Sequence, residues 1–451
     1  MRKLQLVLLV AVVGVVQTAA KLCPYNDQIC RCSLGSMTCS NLQQIPPIYM
    51  EVNVSQITEI YFENGNITSI TKPNLPPNLR EIAFYGHPLD NISADAFEAS
   101  AATLQRLYIS EARFNNLPKA LKQLTNLTEL DLSNIPMQSW DASILQQLAA
   151  TLEHLRLMNV SLSAWPSWIS DFHSLRSLDL GGNSLKSISD DAFSVIKDSL
   201  THLHLSSTGL THVPQALSVL TSLNTLDLST NNFTEMAAME WITGSPFAPN
   251  LSYLYLTSAG LTTGPNLSNL TSLRSIVLTS NSMSDVPPES LPESLTSFYL
   301  QNNSLSSVPK DVANMSGLLY VFLSSNLITE IKQKTFPSSS RALELSANNL
   351  TIITNESFRS LNHLRILFLD SNPIATISPS AFADLVSLRY LSIADSHLTE
   401  MSLAFTQLSP QTHIYLTTSR PLSCPCPAPH DLVTWFASLT NTTTIQVSCS
   451  K

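Results

Sequence analysis

Charge is scarce in this chain. Lys, Arg, Asp and Glu make up 13% of its 451 residues, about half of the roughly 25% in an average soluble domain. What charge there is leans acidic: 24 Lys and Arg against 33 Asp and Glu, a formal net charge of −9. A nucleic-acid binder needs a basic stripe, so that class is excluded. Glycine is rare as well, at 11 residues, which rules out collagen-like and flexible-linker chains. Hydrophobic residues stand at 44%, too many beside so little charge for a disordered chain. After the N-terminus no apolar run approaches the roughly 18 residues of a membrane helix. Catalytic signatures are missing too. There is no nucleophile elbow, phosphate loop or metal-spaced histidine cluster, so neither enzymatic activity nor a cofactor is expected. His202 and His204 can share a strand face, but no third ligand lies close by in the sequence.

What is present begins with a leader. Arg2 and Lys3 precede an apolar run from Leu4 to Val16, broken only by Gln5 and Gly14, and small residues follow at Ala19 and Ala20. This pattern predicts a signal peptide over 1–20, cleaved near Ala20. The mature chain is then extracellular, where disulfides persist. Its 7 cysteines are an odd number, so one is expected to lack a partner within the chain. Asn-x-Ser/Thr occurs at Asn53, Asn66, Asn91, Asn126, Asn159, Asn232, Asn250, Asn266, Asn269, Asn302, Asn314, Asn349, Asn355 and Asn441.

A repeat fills most of the length. The frame Leu175-x-x-Leu178-x-Leu180-x-x-Asn183-x-Leu185-x-x-Ile188 recurs at starts Ile57, Leu79, Leu104, Leu127, Leu152, Leu175, Leu200, Leu223, Leu251, Leu273, Leu295, Leu318, Ser340, Leu364, Leu388 and Gln411. Frame positions 4 and 6 point inward from a short strand, while 3 and 5 point outward. Positions 1, 11 and 14 turn the chain over the same core. One such unit cannot bury its apolar stripe, but stacked units bury a continuous one. Position 9 is Asn at Asn183, Asn231, Asn281, Asn303, Asn326, Asn348 and Asn372, whose amide can bond backbone groups inside the turn. Nine units depart from this, with Gly65, His87, Ala112, Ile135, Val160, Thr208, Ala259, Ser396 and Ser419 there. Looser or water-bridged turns are expected toward the N-terminus. A longer period of 48 residues relates Leu79, Leu127, Leu175 and Leu223 and suggests duplication of a two-unit block. The unit at Leu223 carries an insertion from Met236 to Pro249, containing Trp241 and Phe247, expected as a loop with a turn of helix.

These motifs resemble the extracellular leucine-rich repeat family over roughly residues 23–449. Sixteen frames in one register carry the resemblance, with a following Phe at Phe97, Phe193, Phe336, Phe358 and Phe382. It implies an α/β-type repeat solenoid, a horseshoe with a parallel concave β-sheet, closed by disulfide-stapled caps. The implied organisation is a cysteine-rich N-terminal cap over 21–56, repeats over 57–420 and a partial C-terminal cap over 421–451. The family's N-terminal pairing implies Cys23–Cys32 and Cys30–Cys39. At the C-terminus Cys424, Cys426 and Cys449 accompany Trp435 and Phe436, which the resemblance lays over the last repeat. The family cap has four cysteines and this one has three. By the family pattern Cys424 pairs with Cys449 and Cys426 is left over. Either Cys426 is free or intermolecular, or the chain continues into a longer product that holds its partner.

The outward strand positions carry the candidate ligand-binding residues. An aromatic zone comprises Tyr253, Tyr255, Tyr299, Tyr320, Phe322, Phe368, Tyr390 and Tyr415. Exposed aromatics are enriched at interfaces, and they also stabilise sheets as cross-strand pairs. A polar zone places Asp131, Arg156, Asp179, His204 and Asp227 at position 5 of successive units, flanked by His154 and His202. Alternating signs there suggest an ion-pair column, and histidine can make it pH-sensitive. Duplication alone would also copy it. An open sheet excludes little water, so ordinary pKa values are expected. None of the sequons falls on an outward strand position, so glycans would leave that face bare. The function this implies is a secreted binding protein for an extracellular protein or glycan. The alternatives are the ectodomain of a single-pass receptor, possibly kinase-linked, and an inhibitor resembling the plant polygalacturonase-inhibiting type.

Overall fold

The computed structural model describes residues 23–25, 30–48, 56–72, 74–234, 240–418, 422–423, 428–439, 444–445 and 447–448. The expected signal peptide, Cys424, Cys426 and Cys449 lie outside them. The chain forms two compact units, the first of residues up to 114 with 118–127, the second of 115–117 with 128 onward.

The first unit starts with an antiparallel hairpin, Cys30–Ser33 against Ser36–Ser40, with Cys30 opposite Cys39. Gly35 makes the turn at φ 80°, a backbone conformation that favours glycine. Disulfides join Cys23 to Cys32 and Cys30 to Cys39, the pairing implied by the resemblance. A segment this short has little core of its own, so covalent closure contributes about 2–4 kcal/mol per bridge. Parallel strands Glu59–Glu63, Glu81–Tyr85 and Arg106–Ser110 follow, in register Ile60, Ile82, Leu107. Positions 4 and 6 point inward as the frame requires. Ile60, Phe62, Ile82, Phe84, Leu107 and Ile109 are all buried, and Phe62 stacks on Phe84 at 4.8 Å.

In the second unit short parallel strands recur once per frame, from Glu129–Ser133 through Ser177–Asp179 and Tyr253–Tyr255 to His413–Thr418. Most span positions 3 to 5 only. Pairing is position-for-position, as in Asp179 opposite His204 opposite Asp227 opposite Tyr255. On the opposite side lie 3-10 helices such as Gln215–Val219 and Lys310–Asn314, and one α-helix, Ala142–Ala149. Asp141 caps that α-helix by accepting from the N–H groups of Ser143 and Ile144. The predicted phenylalanines are buried there. Phe358, Phe382 and Phe405 follow one another at 6.4 and 5.6 Å, and Trp435 of helix His430–Ser438 joins Phe405 at 6.2 Å. Trp435 thus covers the end of the phenylalanine column, as expected. The insertion contains a 3-10 helix, Glu240–Gly244, and Phe247 is fully buried.

Position 9 asparagines act as predicted, and between neighbours rather than within one turn alone. The Asn231 amide donates to Leu205 O and Leu228 O at 2.8 and 3.0 Å. Its carbonyl accepts from Thr208 N and Leu210 N at 3.2 and 3.0 Å. Where Asn is replaced, some bonds survive by substitution. The Thr208 hydroxyl donates to Leu205 O at 2.7 Å, and His87 Nδ1 accepts from Ile67 N–H at 3.2 Å. Position 8 carries a regularity the sequence reading missed. Its φ is positive at Asn64, Gly86, Glu111, Asn134, Asn159, Gly182, Ser207, Thr230, Ser258, Ser280, Asn302, Ser325, Ala347, Ser371 and Asp395. One left-handed residue per repeat reverses the chain after each strand, and it favours Asn, Gly and small polar residues. Part of the Ser and Asn excess has this origin.

Candidate binding face

Most outward strand positions of the second unit are half-buried or exposed, Thr225, Ala342 and Ser392 being buried, and rows of side chains run across its strands. In the position 5 row, Asp131, Arg156, Asp179, His204 and Asp227 stand on adjacent strands, followed by Tyr255. The structure brings the predicted polar zone together. Arg156 lies 3.1 Å from Asp179 and 3.8 Å from Asp131. His204 Nδ1 lies 3.6 Å from the Asp227 carboxylate.

Ordinary pKa values were expected here, and several are shifted, because neighbouring strands half-bury these groups. Burial raises Asp131 above the usual carboxylate range, outweighing the Ser133 hydroxyl and Arg156. The Asp227 contact raises His204 against the opposing effect of burial. Burial works to raise Asp227, but His204 and the Ser229 hydroxyl and N–H outweigh it and hold the carboxyl low. Burial, then the charges of His204 and His154, lowers His202.

The signs give a pH window. A raised His204 contributes stability that is full below its unfolded value of about 6.5 and is lost as pH rises through its higher folded value. A lowered Asp227 contributes above about 3.9, and that contribution is lost as pH falls through its folded value. The pair is therefore strongest between about pH 4 and 6.5. His204→Gln is expected to cost a few tenths to about 1 kcal/mol at pH 5.5, a difference that shrinks toward zero as pH rises through the raised folded value. Denaturant melts of both proteins across this range measure it, and a pH-independent difference refutes it.

The aromatic zone is present but interrupted. The position 5 row continues as Tyr255, Val277, Tyr299, Phe322, Glu344, Phe368, Ser392 and Tyr415. Tyr299 and Phe322 stack with centroids 4.7 Å apart and planes 6° from parallel. Phe368 meets Tyr390 at 5.3 Å, and Tyr390 stacks on His413 at 5.3 Å. Val277, Glu344 and Ser392 break the row. Tyr253, Tyr320 and Tyr415 remain 37–40% exposed. They offer apolar area that packing within the chain has not consumed.

A further polar cluster, in the first unit, escaped the sequence reading. The Tyr61 hydroxyl donates to Glu81 at 2.7 Å, and Arg106 binds Glu81 at 2.5 Å with Glu59 at 3.8 Å. Burial first, then Glu81, pushes the Tyr61 hydroxyl above its ordinary value. Tyr85 and Tyr108 lie beside it, 6.3 Å apart. Three aromatics and three charges at outward positions of successive frames were the available signal.

Every sequon asparagine among the described residues is exposed. Among the described residues no group of three or more His, Cys, Asp or Glu is placed to hold a metal. No described helix is long and apolar enough to cross a membrane.

Comparison with known proteins points one way. The sequence matches the leucine-rich repeat over residues 173–233 and 338–398. It matches the BspA-type leucine-rich repeat region over 34–162. No curated protein matches it. Among solved structures, it is similar to a leucine-rich repeat protein of Leptospira interrogans, with TM-score 0.62 and 21% identity over 90% of this chain and 94% of that one. The Toll–Spätzle complex of Drosophila gives TM-score 0.61 and 19% identity over 86% of this chain and 55% of that one. A plant peptide hormone receptor, RGFR1 in complex with RGF2, gives 0.60 and 21% over 87% and 63%. This chain therefore spans just over half and under two thirds of those last two proteins.

Proposed function

Since the chain belongs to the leucine-rich repeat proteins, we propose that it is a secreted binding protein that recognises an extracellular protein or glycan on the strand face of its second unit. The observation that carries this reading is the run of partly exposed aromatics on one face, from Tyr253 to Tyr415. Large rigid side chains of this type dominate binding energy where they are desolvated. The polar column from Asp131 to Asp227 adjoins them and supplies charge for orientation more than for affinity.

The compartment rests on the leader pattern and on the two N-terminal disulfides. Expression in secreting cells is expected to release a chain beginning near residue 21, with glycans absent from outward strand positions. N-terminal sequencing and glycopeptide mapping test this. Retention of the leader, or a glycan on an outward strand position, counts against it.

The face itself is tested on a ligand isolated by cross-linking from the extracellular medium. The Tyr299→Ala/Phe322→Ala variant is expected to bind at least about tenfold more weakly, a loss of about 1.4 kcal/mol or more. Parallel melts separate this from lost cross-strand packing. Unchanged affinity in the double variant sinks the assignment.

The receptor reading stands second. It is favoured by the fold likeness to Toll bound to Spätzle and to a hormone receptor bound to RGF2. The full transcript distinguishes the two, since a receptor requires a membrane span and a cytoplasmic segment.

A further inference from the structure

A third row runs at frame position 2, just ahead of the strands. Arg341, Arg365 and Arg389 occupy it in three successive repeats, immediately before Ala342–Glu344, Ile366–Phe368 and Tyr390–Ser396. Backbone bonds lock their order. Arg365 N–H donates to Arg341 O and Arg389 N–H to Arg365 O, both at 2.8 Å. The three residues are thus consecutive rungs, about 4.8 Å apart.

All three arginines are exposed, and no ion pair among the described residues uses them. Arg176 holds the same frame position elsewhere and is paired with Glu153 at 3.1 Å. Between Arg341 and Arg365 lies a cleft of about 260 Å³, lined by Leu319, Ser339, Arg341, His363, Arg365 and Ser387. No carboxylate lines it. The Ser339 hydroxyl already donates to Leu318 O. The donors left over are two guanidinium forks, the His363 ring and the Ser387 hydroxyl.

Unneutralised cations on adjacent rungs repel one another. In a chain of net charge −9, such a row is a local exception that suits an anion. Guanidinium forks match the paired oxygens of sulfate or phosphate groups. The rung spacing then selects the carrier. An extended peptide presents side chains on one face about every 6.6–6.8 Å, out of step with rungs of about 4.8 Å. A polysaccharide advances by about one rung per pyranose ring, so its charged groups can keep step. Ile366, 37% exposed, and the Phe368–Tyr390–His413 cluster lie beside the row and offer apolar faces to sugar rings.

We infer that Arg341, Arg365 and Arg389 form a binding site for a sulfated polysaccharide, with one sulfate group seated in the cleft between Arg341 and Arg365. The site lies at the strand entries and borders the aromatic face at Phe368 and Tyr390, but its anion contacts are the arginines alone, so loss of binding in the Tyr299→Ala/Phe322→Ala variant would leave it untouched.

The test uses the purified full chain, a heparin oligosaccharide, its desulfated counterpart and a tyrosine-sulfated peptide, titrated calorimetrically at physiological ionic strength. The sulfated oligosaccharide is expected to bind and the desulfated one not to. Arg341→Ala/Arg365→Ala is expected to weaken binding at least about tenfold, with an unchanged melting temperature because both side chains are exposed. Arg341→Lys/Arg365→Lys, which keeps the charge but loses the fork, is expected to fall between them. Arg176→Ala is expected to bind like the parent. Equal binding by the alanine double variant, or by the desulfated oligosaccharide, overturns the site. Tighter binding of the sulfated peptide through the same arginines overturns the polysaccharide assignment.

Discussion

Replacing Asn231 by Ala is expected to destabilise the repeats it joins by about 3–6 kcal/mol, far beyond an ordinary point substitution. The side chain is buried and serves five backbone groups in two repeats: Leu205 O, Leu228 O, Ser229 O, Thr208 N–H and Leu210 N–H. Truncation leaves Leu228 O, Thr208 N–H and Leu210 N–H unpaired inside the solenoid, while Leu205 O keeps the Thr208 hydroxyl and Ser229 O keeps the Ser207 N–H, and each buried unpaired group costs about 1–3 kcal/mol. Water entering the vacated space recovers part of this, so the sum is not reached in full. Repeat proteins distribute stability through nearest-neighbour interfaces, so the loss is read best by hydrogen exchange. Protection should fall at amides around Leu205, Leu210 and Leu228 and persist far from them. Asn232→Ala, one residue away and exposed, should change stability by less than about 0.5 kcal/mol. Equal protection in the two variants would refute the bridging role.

Gly65→Ala is expected to loosen the disulfide-bonded hairpin from the first repeat at a cost of about 3 kcal/mol or more. A Cβ at Gly65 would stand 2.4 Å from Leu42 O, 2.8 Å from Leu42 N and 2.6 Å from His87 Cε1. Two of these contacts are backbone. Leu42 O also accepts the Asn66 N–H at 2.7 Å, so it cannot retreat without breaking a bond. The third contact explains His87, which is fully buried and fills the space that a position 9 side chain in the preceding repeat would take. His87 and Gly65 are one arrangement in which the ring of one repeat replaces the missing amide of its neighbour. Burial lowers the His87 pKa, in keeping with a neutral ring whose Nδ1 must accept. The double variant Gly65→Ala/His87→Ala should stay nearly as unstable as Gly65→Ala, because the Leu42 clashes remain. Thermal melts and hydrogen exchange around Cys39 measure this. Full rescue by the double variant would assign the effect to the ring and not to the backbone.

These two residues show where reading the sequence was enough and where it was not. Asn231 was legible: it stands at position 9 of a frame that recurs, and the residue type states its work. Gly65 and His87 were visible only as departures from that frame, since nothing in one repeat tells what the next repeat's side chain will do. The candidate binding face divides the same way. Its aromatic and polar rows could be named from the inward and outward alternation of the strands. The stacking of Tyr299 on Phe322 and the shifted carboxylates depended on packing between strands. The arginine row had a signal that was not used, the 24-residue intervals from Arg341 to Arg365 to Arg389.

The sequence by itself determined the repeat, its register, the inward residues and the role of position 9, while the pairing of Cys23, Cys30, Cys32 and Cys39 came from the family resemblance. It could do so because each repeat writes the same short-range contacts in the same order, and periodicity needs no knowledge of neighbours. Tertiary structure alone decided which side chains meet across repeats. It set the half-burial that shifts Asp131, His204 and Asp227, seated His87 over Gly65 and left three arginines without an ion pair among the described residues, two of them lining one cleft. Those outcomes depend on the distance and solvent access between adjacent strands, quantities that exist only once the repeats are stacked. The scarcity of charge thus carries a positional meaning. With few ionic groups on the surface, the charges are gathered into rows, at the positions where the proposed binding sites lie.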